Sequence, residues 1–333
     1  MAEPVLRKSL GALGALSAGA ALAIQVRLNG GLGGALGDGL VTSAVSFAVG
    51  TVLVSLIVAV SPRARESLRR IPSLLRTGQL RWWELAGGLS GVVFIFAQGA
   101  VGALIGAALF TVGIIAGQSI SALLVDRLGL GPTGGIPITV GRVIAAALGL
   151  LAGIIAVAGN ARIADNAWLI ALPFVAGLTV AWQQAVNGKV ALLGGEPMGT
   201  TWLNFVIGAV ILVPVAIGSL AFRPTALVWP TEPWLYAGGA AGVVVVALSA
   251  IFVARTGVLL FGLASITGQL ATSVLLDILF PTSVAIDAGL IVAVVFAFVA
   301  VAVASIVTRP RDPSPAASRP GQLPQHLPQG RQR

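Results

Sequence analysis

The sequence predicts an all-α polytopic membrane protein, with ten transmembrane helices arranged as two inverted five-helix repeats. Three observations carry this. The 333 residues are 57% hydrophobic and only 9% charged, with a mean hydropathy of +0.99, whereas soluble domains carry about 25% charged residues. The apolar residues gather in many runs of roughly 20, the length that crosses a hydrocarbon core of about 30 Å at about 1.5 Å per residue. The second half of the chain repeats the polar and glycine pattern of the first.

The spans are expected at about 9–28, 40–60, 84–100, 102–125, 138–159, 167–188, 200–220, 234–254, 257–280 and 286–307. Runs such as Ala145 to Ala158 and Leu290 to Ser305 are apolar all round, as lipid-embedded helices are, while barrel strands would alternate every second residue. The first span has a basic flank, Arg7 and Lys8, and an Ala21-Leu22-Ala23 sequence like those of cleavable signal peptides. Residues 23 to 50 recur in the second half, however, so cleavage would break a repeat unit. The segment is read as a span.

Loop charge gives the orientation. With the N-terminus inside, 17 of the 20 Lys and Arg residues fall on the cytoplasmic side and only Arg27, Arg162 and Arg223 on the other, which is the positive-inside bias. Both termini are then cytoplasmic, and the expected home is the inner membrane of a bacterium. The bias also accounts for the net charge of +9 without nucleic acid. The Arg-rich segment from Ser61 to Arg81 is read as a cytoplasmic loop that sets topology and meets anionic headgroups. The expected organisation is a short N-terminus at 1–8, a first repeat at 9–160, a second at 161–308, and a disordered tail at 309–333 that is rich in Pro, Gln and Arg.

Several chemistries are excluded. There is no Cys, and the one His, His326, lies in the tail, so neither thiolate zinc nor a His-based metal centre or triad is expected. Gly129 to Gly134 satisfies G-x-G-x-x-G but follows a membrane helix and contains Pro132, so it lacks the context of a dinucleotide site. Gly188-Lys189 lacks the remainder of a Walker A motif. No paired acids or nucleophile elbow sits within the spans. The chain is read as a non-enzyme with no cofactor.

The repeat is gapless over long stretches. At an offset of 158, Gln25, Asn29, Gly30, Phe47 and Gly50 fall on Gln183, Asn187, Gly188, Phe205 and Gly208, and Asp38 on Glu196. After a net loss of seven residues, an offset of 151 places Trp83, Gly87, Gly88, Gly91, Gly117, Gln118 and Asp126 on Trp234, Gly238, Gly239, Gly242, Gly268, Gln269 and Asp277. Because each copy holds five spans, the second enters the membrane from the opposite side, the arrangement many secondary transporters use around a central site. The copies have diverged: Asn204 replaces Ser46, and Arg142 has no basic counterpart in span ten.

Three elements carry a family resemblance. They are Gln25 to Gly30 ending span one, Trp82-Trp83 before Gly87-Gly88 and Gly91, and Gly117-Gln118 followed by Asp126. Together they resemble the YdcZ-like branch of the drug/metabolite transporter superfamily. Members of that branch often have five spans and act in pairs, and this chain looks like a fused form of ten. The resemblance implies an inner-membrane carrier or exporter of small molecules, and no substrate.

Candidate site residues follow from the repeat. Gln25 and Asn29, like Gln183 and Asn187, are four apart and share a helix face. Unpartnered amides are costly in hydrocarbon, so these are expected to face the bundle interior or water; the competing reading is interhelical hydrogen-bond glue. Gln118 with Gln183 near the inner face, and Gln25 with Gln269 near the outer, would form two amide tiers about the midplane. Asn204 and Trp182 join the set, Trp182 as a stacking surface for planar cargo. Asp126 and Asp277 are candidate coupling carboxylates or interfacial structure, with Arg127 beside Asp126. Glu84 is read as interfacial with no deeper role. The glycine pairs Gly87/Gly91, Gly102/Gly106, Gly113/Gly117, Gly149/Gly153 and Gly238/Gly242 are read as packing faces, and Trp82, Trp83, Trp168, Trp229 and Trp234 as an interfacial belt.

The expected function is movement of a small organic solute by alternating access, with a non-transporting membrane scaffold or assembly factor as the alternative. The expected partners are membrane lipids and a small-molecule substrate, with a homodimer as a further option and no nucleic acid.

Overall fold

A computed structural model describes residues 2–131, 135, 137–158, 166, 168–222, 226–256, 258–281 and 288–307. The expected tail, His326 and the Gly-rich stretch 132–134 lie outside them. The helices are α1 (Ala2–Leu36), α2 (Gly39–Val60), α3 (Pro62–Arg76), α4 (Gly88–Leu128), α5 (Val140–Ala158), α6 (Trp168–Gly194), α7 (Pro197–Ala221), α8 (Gly238–Thr256), α9 (Val258–Leu279) and α10 (Ala288–Val307). Short 3₁₀ segments, Trp82–Gly87 and Pro233–Ala237, lead into α4 and α8. The α2, α6 and α7 helices and the stretch Trp82–Leu128 are long and apolar enough to cross a membrane, and Val140–Ile155, Pro233–Val246, Ala264–Leu279 and Ala288–Val303 are shorter apolar helices. The protein is an all-α membrane protein.

Local signals explain the joints. Asp38 caps α2 by accepting from the amides of Leu40 and Val41, and Glu196, its counterpart at the offset of 158, caps α7 through Met198 N–H. Each cap follows a glycine at positive φ, Gly37 at 62° and Gly195 at 81°, where a side chain would be strained. Ser61 both ends α2 and caps α3 through Ala64 N–H, with Pro62 at the first helical position.

Three expectations are corrected here. The Arg-rich segment is not a loop over most of its length but the amphipathic helix α3, which buries Ala64, Ser67 and Ile71 against α6 and α7. The Gln25 to Gly30 element does not end its helix, because α1 runs on to Leu36; it is therefore packed inside the bundle. The third and fourth spans turn at Gly106, not near residue 101. Gly106 has φ 77 and ψ 168, a conformation open essentially to glycine alone. Phe94 and Phe110 would lie about 24 Å apart along a straight helix, yet their ring centroids are 6.1 Å apart. The chain doubles back at Gly106, which is thus a reversal and not a packing contact.

The two halves interleave: α4 packs along α6, α1 along α8 and α9, α2 on α7, and α5 on α10. Glycines permit the closest crossings. A Cβ on Gly117 or Gly177 would collide with the carbonyl of Phe174 or Ile114 at the α4–α6 crossing, and one on Gly268 or Gly19 with that of Leu16 or Ser265 at the α1–α9 crossing. Gly19 and Gly177 are repeat counterparts, as are Gly117 and Gly268. Four of the five expected packing pairs, Gly87/Gly91, Gly113/Gly117, Gly149/Gly153 and Gly238/Gly242, do lie against neighbouring helices.

A candidate substrate pathway at the contact between the repeats

Phe47 of α2 and Phe205 of α7 meet edge to face, with ring centroids 5.7 Å apart and planes at 62°. They are the same position of the two copies. Phe47 covers Gly208 and Phe205 covers Gly50, so residue i touches j′ and j touches i′, the signature of a contact across a two-fold axis.

Polar side chains flank this pair in matching places. A Cβ on Gly91 would lie 3.2 Å from the Phe47 ring and 3.5 Å from Gln183 Nε2. A Cβ on Gly242 would lie 3.3 Å from the Phe205 ring and 2.8 Å from Gln25 Nε2. The two glycines thus make room for an amide and an aromatic each. One turn further along, Gly87 abuts the carboxamides of Asn187 and Asn204, while Gly238 abuts that of Asn29. The packing role expected of these glycines therefore extends to seating the polar residues.

The two polar clusters differ in burial. Toward the end that carries α3, Gln183, Asn187, Asn204 and Trp182 are half-buried. Asn204 Nδ2 donates to the Thr200 carbonyl at 2.9 Å, and its Oδ1, like Thr200 Oγ1, has no partner among the described residues. At the far end Gln25 and Asn29 are buried. Asn29 Nδ2 donates to Gln98 Oε1 at 2.6 Å, leaving Asn29 Oδ1, Gln98 Nε2 and Ser46 Oγ unpartnered among the described residues. Each such buried group costs about 1–3 kcal/mol unless something meets it.

Gln118 and Gln269 are not drawn into these clusters. Gln118 donates to Gln184 Oε1 at 3.2 Å, and buried Gln269 reaches Thr111 Oγ1 at 3.5 Å, beside the Thr111–Ser273 hydrogen bond of 2.8 Å. Trp202 donates its indole N–H to Ser55 Oγ at 2.9 Å. Of the tryptophans expected in an interfacial belt, Trp82, Trp168, Trp229 and Trp234 are exposed near segment ends and Trp83 is half-buried. Two clefts of about 410 and 350 Å³ flank the bundle, one against Gly113 and Phe174, the other against Asp38 and Gly99. Neither is lined by the amides.

The carboxylates take structural contacts. Asp126 accepts from Arg142 Nη2, sixteen residues away, and not from its neighbour Arg127. Asp277 accepts from the amides of Ala107 and Ala108 at 2.9 and 2.7 Å, capping the helix that restarts after Gly106. Glu84 overturns its reading as a mere interfacial acid: it is 3% exposed and pairs with Lys189 Nζ at 2.5 Å. Sequence reasoning did not assign Gln98, Ser46 or Thr200 to the site. Gln98 carried no repeat signal, since Ser249 stands at its counterpart.

A protein-family model described as "Putative inner membrane exporter, YdcZ" matches residues 10–156 and 168–304. No curated protein matches the chain, and no solved structure does. The polar and glycine elements that line the repeat contact all fall within the matched residues, and the chain belongs to the YdcZ family of inner membrane exporters within the drug/metabolite transporter group.

Proposed function

We propose that the chain is a ten-span carrier whose two inverted repeats move a small organic solute by alternating access along the Phe47–Phe205 contact. The observation that carries this is the reciprocal seating of Gln25 on Gly242 and Gln183 on Gly91, either side of that aromatic pair. The two segments matched by the family model, separated at 157–167, support the same division of the chain. Gln25, Asn29, Gln183, Asn187 and Asn204 present amides to the cargo, and Trp182 lies beside them. Gln118 and Gln269 belong to the supporting walls. The contacts of Asp126 and Asp277 favour structural roles over ion coupling. The orientation has both termini in the cytoplasm, in a bacterial inner membrane, and the protein carries out no covalent chemistry.

One observation favours the scaffold alternative: the repeat contact is filled by two Phe rings, as a non-transporting core would be. Under the carrier reading these rings are a plug that separates as the ends open. Single thiols at Gln25, Gln118, Gln183 and Gln269, labelled by a polar reagent in sealed vesicles, test the choice, since the chain has no native Cys. The carrier predicts labelling of Gln183→Cys and Gln25→Cys, each from a different side. Complete protection at all four sites is the scaffold result.

A further inference from the structure

We propose that Lys189 and Glu84 form an electrostatic latch on the α3 end of the pathway, where the equivalent contact at the far end is apolar. The inference rests on the pathway reading above. Glu84 sits in the 3₁₀ segment entering α4, 3% exposed, with Oε1 at 2.5 Å from Lys189 Nζ on α6. Its Oε2 accepts the Arg81 amide at 2.7 Å, which fixes the carboxylate toward Lys189. Three residues on, Gly87 touches Asn187 and Asn204. The ion pair therefore lies one helical turn beyond the half-buried polar cluster, on the side of α3.

The repeat supplies an internal control. At the offsets of 158 and 151, Lys189 and Glu84 correspond to Gly31 and Leu235. Those two positions also meet: Leu235 Cδ2 lies 2.9 Å from where a Cβ of Gly31 would be. The same contact thus closes both ends, charged at one and apolar at the other. Parting a Leu from a Gly surface rehydrates a small apolar area. Parting Lys189 from Glu84 strands a buried carboxylate unless water or another cation replaces the lysine. For a carrier built on a two-fold, this makes the two ends unequal in a way that the repeated elements themselves do not.

The test uses the full chain in sealed vesicles, with a single thiol at Gln183 or at Gln25 and an impermeant maleimide as probe. Glu84→Gln and Lys189→Met each raise the labelling rate at position 183 from the α3 side about tenfold, and Glu84→Lys combined with Lys189→Glu returns it to the parent rate. A second variant guards against misfolding: Gly31→Lys with Leu235→Glu installs the pair at the far end and slows labelling at position 25. An unchanged rate at 183 in both single variants, or no recovery on charge reversal, overturns the latch while parent labelling leaves the pathway standing. Protection of both thiols in every background removes the pathway and the latch with it.

Discussion

Asp126 and Asp277 occupy the same position in the two copies, yet they do different things. Asp277 is buried and spends both oxygens on the amides of Ala107 and Ala108, so one half of the molecule caps a broken helix in the other. The N-terminus of that helix receives the carboxyl group, and Arg27, bonded to the Phe280 carbonyl at 2.7 Å, lies on the same side. Asp126 has a side chain 34% exposed and is held by Arg142 of its own half. A residue repeated in sequence is thus not a role repeated in structure. Repetition preserves the backbone arrangement and leaves local charges free to specialise, as it also does at Lys189–Glu84 against Gly31–Leu235.

Three substitutions sharpen this contrast. The largest effect is expected for Asp277→Ala, which strands two buried amide donors and removes charge-assisted bonds of about 1.5–3 kcal/mol each; thermal unfolding in detergent should show a marked loss of stability, with Asp277→Asn recovering part of it. Gly106→Ala comes next, since a Cβ in that conformation costs about 1–3 kcal/mol, and hydrogen exchange should localise the loosening to the start of the segment after residue 106. Asp126→Asn is smallest, because the Asp126 side chain is 34% exposed and the amide keeps an acceptor oxygen for Arg142. Equal losses at Asp126 and Asp277 would break the comparison.

Much of the fold was legible because apolar runs and the repeat are local or periodic signals. Asp38 and Glu196 lie at matching places and cap matching helices, and the glycines at 87, 91, 238 and 242 announced close approaches. What was not legible had physical reasons. Glu84 and Lys189 are 105 residues apart, so no spacing shows that they meet. The reversal at Gly106 falls within an apolar stretch that carries no polar punctuation. The α3 helix was readable after all: Ser61-Pro62 is a helix start, and Ala64, Ser67 and Ile71 follow helical periodicity, but the density of arginine read as loop. Of the site, the paired glutamines and asparagines were visible, whereas Gln98 entered only through its contact with Asn29.

Everything rests on the second repeat being upside down relative to the first. Ala35 and Leu192 precede the equivalent turns at Gly37 and Gly195, and both are exposed. Single thiols placed there, in turn, and treated with an impermeant maleimide on intact cells give the most direct answer. The account predicts that Ala35→Cys is labelled from outside and Leu192→Cys only after permeabilisation; labelling of both from the same side would contradict it.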